Sequence, residues 1–593
     1  MPRLAAMAIV RLALALLAFA VAAQPAFAAP RAVSTFQSIG LYWSPPGGAP
    51  DNAGRVQFRA AGERGWRQGL DLWFDERDGE YRGSLVELEP GTEYNVRLTL
   101  ASGFSETMTA RTWSEKFRVK RTVYLKPGTT RLVIDEQDSG SERDGYVVFT
   151  GAPGRNVIDQ SELYGNDRRD SCVIVKQGVH HIIVRGLVLK NCRRHAVYLE
   201  RQFDPVLDTT TRDIVIEDNE ISGWGGIGDE TPGWVNDDGA IHCNYYREEI
   251  AARKPMRIVV QRNRFFNPRY TANPWLWAGS EATHPHGPQA AMFSRCGSNH
   301  VFRYNEVWSS NGNRFNDGFG GGDNFSTEGF PWADSDFYGN RISQVNDDGI
   351  ESEGANRNVR IWGNYFDHVF VAIANAATSI GPLYVWRNVS NRMASMREPD
   401  GDPDLEIRGP FIKAGSYDAK LNGGRAYYFH NTALQPPPPR GRSLTLGAGA
   451  GIEKSGGTLY NFVSRNNVWH IHNEVHIDGR AKFYSIRADC SAGPCDADFD
   501  LHNGRISNAG ARAERRGWGP GASGVPIYAS SGRAYPDLAA RPGDFSLKPG
   551  SPGYGAAAPI PNFNDRFARP DAGAQQSGTP PMEFGIEAAH RRD

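Results

Sequence analysis

The sequence carries almost no net charge and has no long hydrophobic run after its first 28 residues. Its 66 Lys and Arg residues balance 67 Asp and Glu residues, which leaves a formal net charge of −1. A nucleic-acid-binding protein would show a basic surface, so we expect no nucleic-acid partner. Without a later apolar run, we expect no transmembrane helix. The six cysteines never occur at C-x-x-C spacing, which argues against a structural zinc ion.

Residues 1–28 are typical of a secretory signal peptide. A basic start precedes the apolar run Leu12–Ala23, which is too short to span a bilayer, and Ala26-Phe27-Ala28 is a typical cleavage site. We therefore expect an exported protein, periplasmic or extracellular, that is cleaved near Ala28 and has no membrane anchor. An uncleaved anchor is the alternative interpretation.

All six cysteines follow this segment, and an even number in an exported chain is compatible with disulfides. Cys490 and Cys495 flank the turn Ser-Ala-Gly-Pro, so they are the predicted disulfide. The other four either form pairs or are simply buried: Cys172, Cys192, Cys243 and Cys296.

Residues 32–115 alternate short apolar and polar runs between turns, which predicts a small β-sandwich. The stretch Leu88-Glu-Pro-Gly-Thr-Glu-Tyr94-Asn-Val96 resembles the E–F corner of fibronectin type III domains. This resemblance implies that the Tyr94 hydroxyl ties the turn to the backbone, and Trp43 is a candidate core residue. It also implies a spacer or docking module without catalysis. Another type of β-sandwich is the alternative.

One sequence pattern recurs through the middle of the chain: a short β-rich run, a polar residue and then an Asn. Its copies place Asn at positions 219, 263, 305, 340, 364, 388, 431 and 466, and an earlier copy has Gly186 there. Intervals that vary above a minimum of about 24 residues are typical of a solenoid with loops of different length. Asn suits such a position because it tolerates the left-handed conformation and its amide can bond to the next coil.

These repeats resemble the right-handed parallel β-helix proteins of the pectin-lyase-like superfamily over residues 120–505. The resemblance implies an all-β chain, a right-handed parallel β-helix preceded by the small β-sandwich, and activity on a polysaccharide. Asp544–Pro552 and Arg569–Ala574 look like the C-terminal segment of secreted β-helix proteins of this kind. We therefore expect residues 506–593 to pack on or cap the β-helix.

Several coils carry a second short strand, often introduced by Asp-Gly. If Val197, Ile241 and Ile350 point inward, the two-residue period places three polar residues outward: Tyr198, His242 and Glu351. A second outward column then contains Glu200, Asn244, Arg295 and Glu353. A slip of one residue would exchange the two sets.

Two Asn-Asp-Asp-Gly motifs, at 236–239 and 346–349, begin such strands, and a further acid-rich run follows Asn316. They resemble the paired-Asp turns of polygalacturonase-type glycoside hydrolases, although Asp-Gly is also a common plain turn. Glu351 and Glu353 follow the second motif on the same strand. Carboxylates so close repel one another and raise their pKa values, which a chain tolerates mainly for acid–base chemistry or for a cation.

Asp238 and Asp348 lie about three coils apart, roughly 14 Å, which is too far for one catalytic pair. We therefore predict a reaction centre made of Asp347, Asp348, Glu351 and Glu353, with Asp323 from the preceding coil. The predicted substrate-binding residues are Asp237, Asp238, His242, Asn244, Arg295 and Trp332. A loop with Trp275, Trp277, His284 and His286 either lines a subsite or is a plain surface loop. The spacing leaves retention or inversion open.

The leading hypothesis is a monomeric glycoside hydrolase that acts on a polysaccharide with two carboxylates and needs no cofactor. The Gly-His-Gly and Arg-Ile-Lys motifs of polygalacturonases are absent, so galacturonan is not supported as substrate. The first alternative is a polysaccharide lyase or uronate epimerase. In it the carboxylates hold Ca²⁺ or neutralise a uronate, and Arg295, His242 or a Lys acts as base. The second alternative is a non-catalytic polysaccharide-binding or surface protein, in which the acidic strip is only solvated turns.

Overall fold

The computed structural model describes residues 29–590 except 153, 155, 163–170, 201–210, 227–237, 245–254, 276–283, 323–325, 397–405, 438–442, 446–447, 473–482, 508–511, 514–523, 534 and 537–542. The predicted signal peptide therefore lies outside the described residues. Helical structure in these ranges amounts to the α-helix Ile586–His590 and the short 3-10 turns Glu136–Asp138, Asn311–Asn313 and Ala419–Leu421. None of the described helices has the length and apolarity needed to cross a membrane.

The first module is a β-sandwich of two four-stranded antiparallel sheets. One sheet contains, in spatial order, Arg31–Ser34, Ile39–Trp43, Glu80–Leu85 and Trp73–Asp75; the other contains Arg67–Gln68, Gly54–Ala60, Glu93–Leu100 and Ser105–Arg111. Trp43, Phe58 and Tyr94 belong to the core between them. The backbone N–H of Glu89 donates to the Tyr94 hydroxyl at 2.9 Å, which is the tie expected at this corner.

Most of the remaining strands form a parallel β-helix, as predicted, with three stacks of strands that we call faces 1, 2 and 3. Face 1 is the thirteen-stranded sheet Val119–Tyr124, Tyr146–Thr150, His180–Arg185, Arg212–Glu217, Ile258–Gln261, Val301–Arg303, Asp336–Tyr338, Val359–Trp362, Leu383–Trp386, Ala426–Phe429, Phe462–Arg465, Cys495–Asp498 and Arg512–Ala513.

Faces 2 and 3 follow face 1 in each coil and join along the long strands Arg341–Glu351 and Tyr365–Asn375. The other strands of face 2 are Val157–Asp159, Val188–Lys190, Glu220–Ser222, Arg264–Phe266, Glu306–Trp308, Val389–Asn391, Thr432–Gln435, Val468–Ile471 and Leu501–His502. The other strands of face 3 are Leu132–Ile134, Val173–Val175, Val197–Leu199, Gly239–Asn244, Gln289–Ser294, Phe319–Gly320, Ile412–Ala414, Ala448–Lys454, Tyr484–Arg487 and Arg505–Ser507. A small separate sheet contains Ala394–Met396, Glu406–Arg408 and Ser443–Thr445.

The register of face 3 confirms the predicted inward column. Successive strands stack Val197, Ile241, Ala291, Phe319 and Ile350, and all five belong to the buried core. Tyr198 and His242 therefore occupy the next, outward column, as does Glu351. The second outward column was wrong at one residue. Asn244 pairs with Ser294, whereas Arg295 follows the strand in a left-handed conformation (φ 49°).

A ladder of buried Asn side chains runs between faces 1 and 2. At Asn364, the backbone N–H and the Nδ2 both donate to the Asn388 Oδ1, at 3.0 and 2.9 Å, and Nδ2 also donates to the Phe337 carbonyl at 3.0 Å. The same pattern links 219, 263, 305, 340, 364, 388, 431 and 467, and Asp500 accepts at the end. Each coil thus satisfies the backbone of its neighbours, which is the role predicted for the amide.

The ladder corrects two sequence assignments. Its member near the end is Asn467 and not Asn466, and Leu187 rather than Gly186 stands at the ladder position of the earlier copy. The left-handed residue is the one before each ladder Asn, with φ of 61° at Gly363 and 53° at Arg387. The expectation that the Asn itself takes this conformation was therefore wrong. Asn466 instead exchanges two hydrogen bonds with Ala558 in the C-terminal segment.

The sandwich packs on face 1 through buried polar contacts. The Tyr42 hydroxyl donates to the Asp334 carboxylate at 2.8 Å, and the Thr35 hydroxyl donates to Asp336. Asp336 also forms a fully buried ion pair with Arg360 at 2.5 Å. These groups fix the module against the middle of the β-helix.

The C-terminal segment packs along the β-helix, as predicted. Phe545, Leu547 and Phe584 contact the apolar residues of face 2 around Tyr365 and Val389. Asn562 bonds to both the N–H and the carbonyl of Val86 in the sandwich, at 2.9 and 2.8 Å. The segment therefore also joins the sandwich to the β-helix.

All six cysteines form disulfides. The predicted Cys490–Cys495 pair is present, and the pairs Cys172–Cys192 and Cys243–Cys296 resolve the alternative left open by the sequence.

Candidate functional site

Five carboxylates and one lysine lie together on face 3, and we call them the acidic cluster: Asp317, Asp347, Asp348, Glu351, Glu353 and Lys413. Two successive coils and the strand Ile412–Ala414 supply them. All five carboxyl side chains are buried, and Glu351 has the largest exposed fraction, 6%. The structure thus brings together four of the five predicted reaction-centre residues.

The three aspartates meet because one Asp-Gly segment stacks directly on another. The turn predicted at 346–349 was wrong, because these residues are extended within the strand Arg341–Glu351. The N–H of Gly318 donates to the Asp348 carbonyl at 3.0 Å, and the N–H of Asp348 donates to the Asp317 Oδ1 at 3.1 Å. A Cβ at Gly318 would lie 2.4 Å from the Gly349 carbonyl oxygen, so only glycine permits this approach. As a result, one oxygen each of Asp317, Asp347 and Asp348 lies within 4.8 Å of the others.

Asp347 faces a loop that covers part of the cluster. The Trp275 indole N–H donates to its Oδ1 at 2.8 Å, and the His284 Nε2 lies 3.3 Å from its Oδ2. The His284 side chain is half exposed, so Asp347 lies just below the surface. Two members of the predicted Trp and His loop therefore contact the reaction centre.

Lys413 is the cation of the cluster. Its ammonium lies 2.7 Å from the Asp348 Oδ2 and 3.1 Å from the Glu353 Oε1. In the outward column it is two strands from Glu351, with Ala374 between them. Because Ala374 is small, the long lysine side chain can reach across it to the carboxylates.

Glu351 and Glu353 accept backbone hydrogen bonds from neighbouring coils. The N–H of Gly321 donates to the Glu351 Oε2 at 3.2 Å, and the N–H of Ala376 donates to the Glu353 Oε1 at 3.4 Å. A Cβ at Gly320 would lie 2.7 Å from the Glu351 carboxylate, so this glycine leaves room for it.

Burial dominates the electrostatics of the cluster. It raises the pKa values of Asp317, Asp348 and Glu351 well above their ordinary range, and repulsion from neighbouring carboxylates raises them further. Burial alone would lower the pKa of Lys413, but Asp348 and Glu353 outweigh it and raise that pKa. The Asp348 Oδ1 and the Glu353 Oε2 are buried without a hydrogen-bond partner among the described residues. The surroundings of the cluster therefore disfavour ionisation of these three carboxyls, and two carboxylate oxygens remain that a ligand could bind.

Asp317, Asp347 and Asp348 could hold a divalent cation. Carboxylate oxygens suit Ca²⁺ or Mg²⁺, and the unpartnered Asp348 Oδ1 is available to such an ion. The Lys413 ammonium already neutralises the other Asp348 oxygen. Lysine and a cation would thus compete for the same carboxylate.

The predicted binding residues Asp238 and His242 lie apart from the cluster. Asp238 is buried, where it contacts Arg194 at 3.0 Å and the Tyr270 hydroxyl at 2.9 Å, contacts that give it a structural role. The buried His242 ring stacks on His195 with ring centroids 4.2 Å apart. Three strand steps separate His242 from Glu351, so roughly 14 Å divide them.

The remaining predicted residues are dispersed or outside the described part. Arg295 lies just after the strand Gln289–Ser294, and Trp332 is partly exposed in the loop that leads to Asp334. Asp323, Asp237 and Trp277 lie outside the described residues, as does the side chain of Asn244.

Sequence reasoning left Asp317 and Lys413 out of the reaction centre. Asp317 had a signal, because Asn316-Asp317-Gly318 repeats the Asn-Asp-Gly pattern of residues 346–349 one coil earlier. Lys413 belongs to no motif, and only the strand register places it beside the acids.

No family model, curated protein or solved structure matches this chain.

Proposed function

We propose that the protein is an exported glycoside hydrolase that cleaves a polysaccharide at the acidic cluster. The observation that carries the proposal is that Asp317, Asp348 and Glu351, with strongly raised pKa values, lie beside Asp347 and Lys413. Glycoside hydrolysis needs one carboxyl that stays protonated as acid and one carboxylate that serves as base or nucleophile.

The cluster offers both roles. One of the three carboxyls with raised pKa donates the proton to the leaving-group oxygen. Asp347 serves as the carboxylate: its Oδ1 accepts a hydrogen bond from the Trp275 indole N–H, and its Oδ2 lies 3.3 Å from the His284 Nε2. Lys413 offsets part of the negative charge of the cluster, which allows the protein to stay folded with so many neighbouring acids.

A polysaccharide substrate is supported by the resemblance of the repeats to the pectin-lyase-like superfamily. The stacked Asp-Gly segments also fit the resemblance to polygalacturonase-type hydrolases. The Arg-Ile-Lys and Gly-His-Gly motifs of those enzymes are absent. We therefore propose the reaction class without galacturonan as substrate.

The test is a screen of the mature protein on neutral and acidic polysaccharides, with reducing ends, absorbance at 235 nm and product masses measured together. We expect new reducing ends without absorbance at 235 nm. Asp317→Asn, Asp348→Asn and Glu351→Gln are compared with Glu200→Gln, a control on face 3 whose partner Lys176 is near the surface. Folded cluster variants that keep full activity would refute this site.

A polysaccharide lyase or uronate epimerase is the second candidate, and Lys413 is the observation that favours it. Ca²⁺ held by Asp317, Asp347 and Asp348 would neutralise a substrate carboxylate. A cation there would also lower the pKa of Lys413 and make it a base. Absorbance at 235 nm from an acidic polysaccharide, lost with a chelator, would select the lyase. Binding without any product would select the non-catalytic alternative.

A further inference from the structure

Face 2 carries an exposed aromatic stack beside a groove, on the other side of a corner from the acidic cluster. Phe266 and Trp308 occupy the same position on adjacent strands, and their rings stack nearly parallel, with centroids 4.9 Å apart and an angle of 4° between the ring planes. Trp308 is 43% exposed. An indole of this size left in contact with water is a candidate ligand platform.

The groove begins at the free face of Trp308. Phe266 covers one face of the indole. On the next two strands of face 2, Ser343 and then Asp367 occupy the position that corresponds to Trp308, so the other face of the indole lies toward these small and polar residues. The groove has a volume of about 340 Å³ and is lined on its other sides by Glu306, Arg341 and Gln344. This volume is at the lower end of the ~300–1,000 Å³ of small-molecule sites.

The lining fixes the chemistry of the occupant. A pyranose ring has an apolar face of C–H groups that packs on an indole, and its hydroxyls need planar side chains with paired donors or acceptors. Arg341, Gln344, Glu306 and Asp367 are such side chains. Arg264 pairs with Glu306 at 3.3 Å, and Arg341 offsets the charge of Asp367, so the groove has no excess of positive charge to attract a polyanion and suits a neutral sugar.

The groove is also connected to the acidic cluster through the backbone. The strand Arg341–Glu351 begins in the groove and ends among the carboxylates, and it turns the corner at Gln344 in a left-handed conformation (φ 56°). The two sites therefore keep a fixed separation, although they lie on different faces.

We propose that the Trp308 groove is a second carbohydrate-binding site that takes a neutral oligosaccharide or a stretch of neutral polysaccharide away from the acidic cluster. The side chains of Phe266 and Trp308 form its platform, and Arg341, Gln344 and Asp367 bind hydroxyl groups. This site does not depend on what reaction the acidic cluster performs.

The test is affinity gel electrophoresis of the full mature chain in gels that contain xylan, mixed-linkage glucan, galactomannan or, as the acidic comparison, polygalacturonate. Two variants probe the groove. Trp308→Ala removes the platform. Ser343→Phe extends the stack into the groove and fills it, at the cost of the hydrogen bond from the Ser343 hydroxyl to the Val307 carbonyl, and circular dichroism checks that both variants are folded. Tyr417→Ala is the matched control, because Tyr417 is an aromatic residue 85% exposed elsewhere on the β-helix.

We expect at least one neutral polysaccharide to slow the wild-type protein and Tyr417→Ala, and at least a five-fold weaker retardation for both groove variants. Cleavage of short oligosaccharides by any active preparation would be unchanged in the groove variants, which separates this site from the proposed reaction centre. Equal retardation of all four proteins, no retardation of the wild type by any neutral polymer, or retardation by polygalacturonate alone would each overturn the proposal.

Discussion

Lys413 is the residue on which the acidic cluster depends most. It is the cation that contacts both Asp348 and Glu353, and it arrives from a different coil. Removing one partner from a buried ion pair leaves an uncompensated charge, which typically costs about 3–5 kcal/mol. Since the Lys413 side chain is 17% exposed, the lower part of this range applies.

We therefore predict that Lys413→Met is less stable than the wild type and that the difference grows as the pH rises from 5 to 8. Without the ammonium the pKa values of Asp348 and its neighbours rise further. When the pKa of a carboxyl is higher in the folded than in the unfolded protein, the free energy of unfolding falls as the pH rises toward the folded-state pKa. Denaturant unfolding at several pH values measures this. Lys176→Met, which removes the partner of Glu200 near the surface, is the control, and equal behaviour of the two variants would contradict the prediction.

The reaction-centre residues were predictable to the extent that they share a strand with a motif. Asp347, Asp348, Glu351 and Glu353 follow one another within seven residues, so a two-residue period was enough to group them. Lys413 was not predictable, because strands of the small separate sheet lie between Asn388 and Ile412 and the sequence pattern does not reveal the register across them. A long-range contact of this kind depends on coil alignment and leaves no local pattern.

At the scale of the elements, the Asn ladder makes each coil a template for the next. Asn364 satisfies two donors of Asn340 and the carbonyl of Phe337, all buried. Each buried polar group left without a partner costs about 1–3 kcal/mol. The ladder therefore contributes to stability mainly through what its loss would leave unpaired.

We predict that Asn364→Leu destabilises the protein by more than about 2 kcal/mol. Asn219→Leu should cost clearly less, because its neighbour in the preceding coil is Leu187, which presents only a backbone N–H to it. Thermal and denaturant unfolding of the two variants gives the comparison. An equal or larger loss at Asn219 would show that the side-chain ladder is not the source of the effect.

The ladder also shows why a repeat can be found while its register is missed. Gly and Asn both suit the left-handed position, and Asn also suits the ladder position that follows it. For this reason Gly186 and Asn466 were assigned to the ladder although they stand one residue before it. The sequence pattern found nine consecutive coils in their order, from the strand His180–Arg185 to the strand Phe462–Arg465. It missed the two face 1 strands before them and the two after them, which do not carry the pattern. The exact pairing required the hydrogen bonds between coils.

At the scale of the whole molecule, the sandwich contacts the β-helix through the carboxyl group of Asp334, which titrates near neutral pH. Burial raises the pKa of Asp334 to about 6, with Arg360 and the Tyr42 hydroxyl opposing the shift. The same carboxyl in an unfolded chain has a pKa of about 3.9. The folded state therefore binds the proton more tightly between these two values.

We predict that the wild type loses stability relative to Asp334→Asn as the pH rises from about 4 to about 6, by on the order of 2 kcal/mol. The amide cannot ionise, so the variant lacks this pH dependence. Unfolding midpoints at closely spaced pH values measure the difference. Asp51→Asn, at an exposed position of the sandwich, should follow the wild type throughout.

The C-terminal segment supplies the other attachment of the sandwich. We predict that Asn562→Ala loosens the module, because the N–H and carbonyl of Val86 lose their partners at a buried position. Limited proteolysis should release the sandwich faster than in the wild type. Asp565→Ala, which removes only a partly exposed 3.7 Å pair with Arg67, should change the rate little, and equal rates in both variants would contradict this role.

The bond between Val86 and Asn562 joins residues 476 positions apart. During synthesis the sandwich leaves the ribosome before any coil of the β-helix exists, and its final partner arrives only after the whole solenoid has been made. The contact that completes the surroundings of Val86 therefore forms only after the β-helix between it and Asn562 has been made.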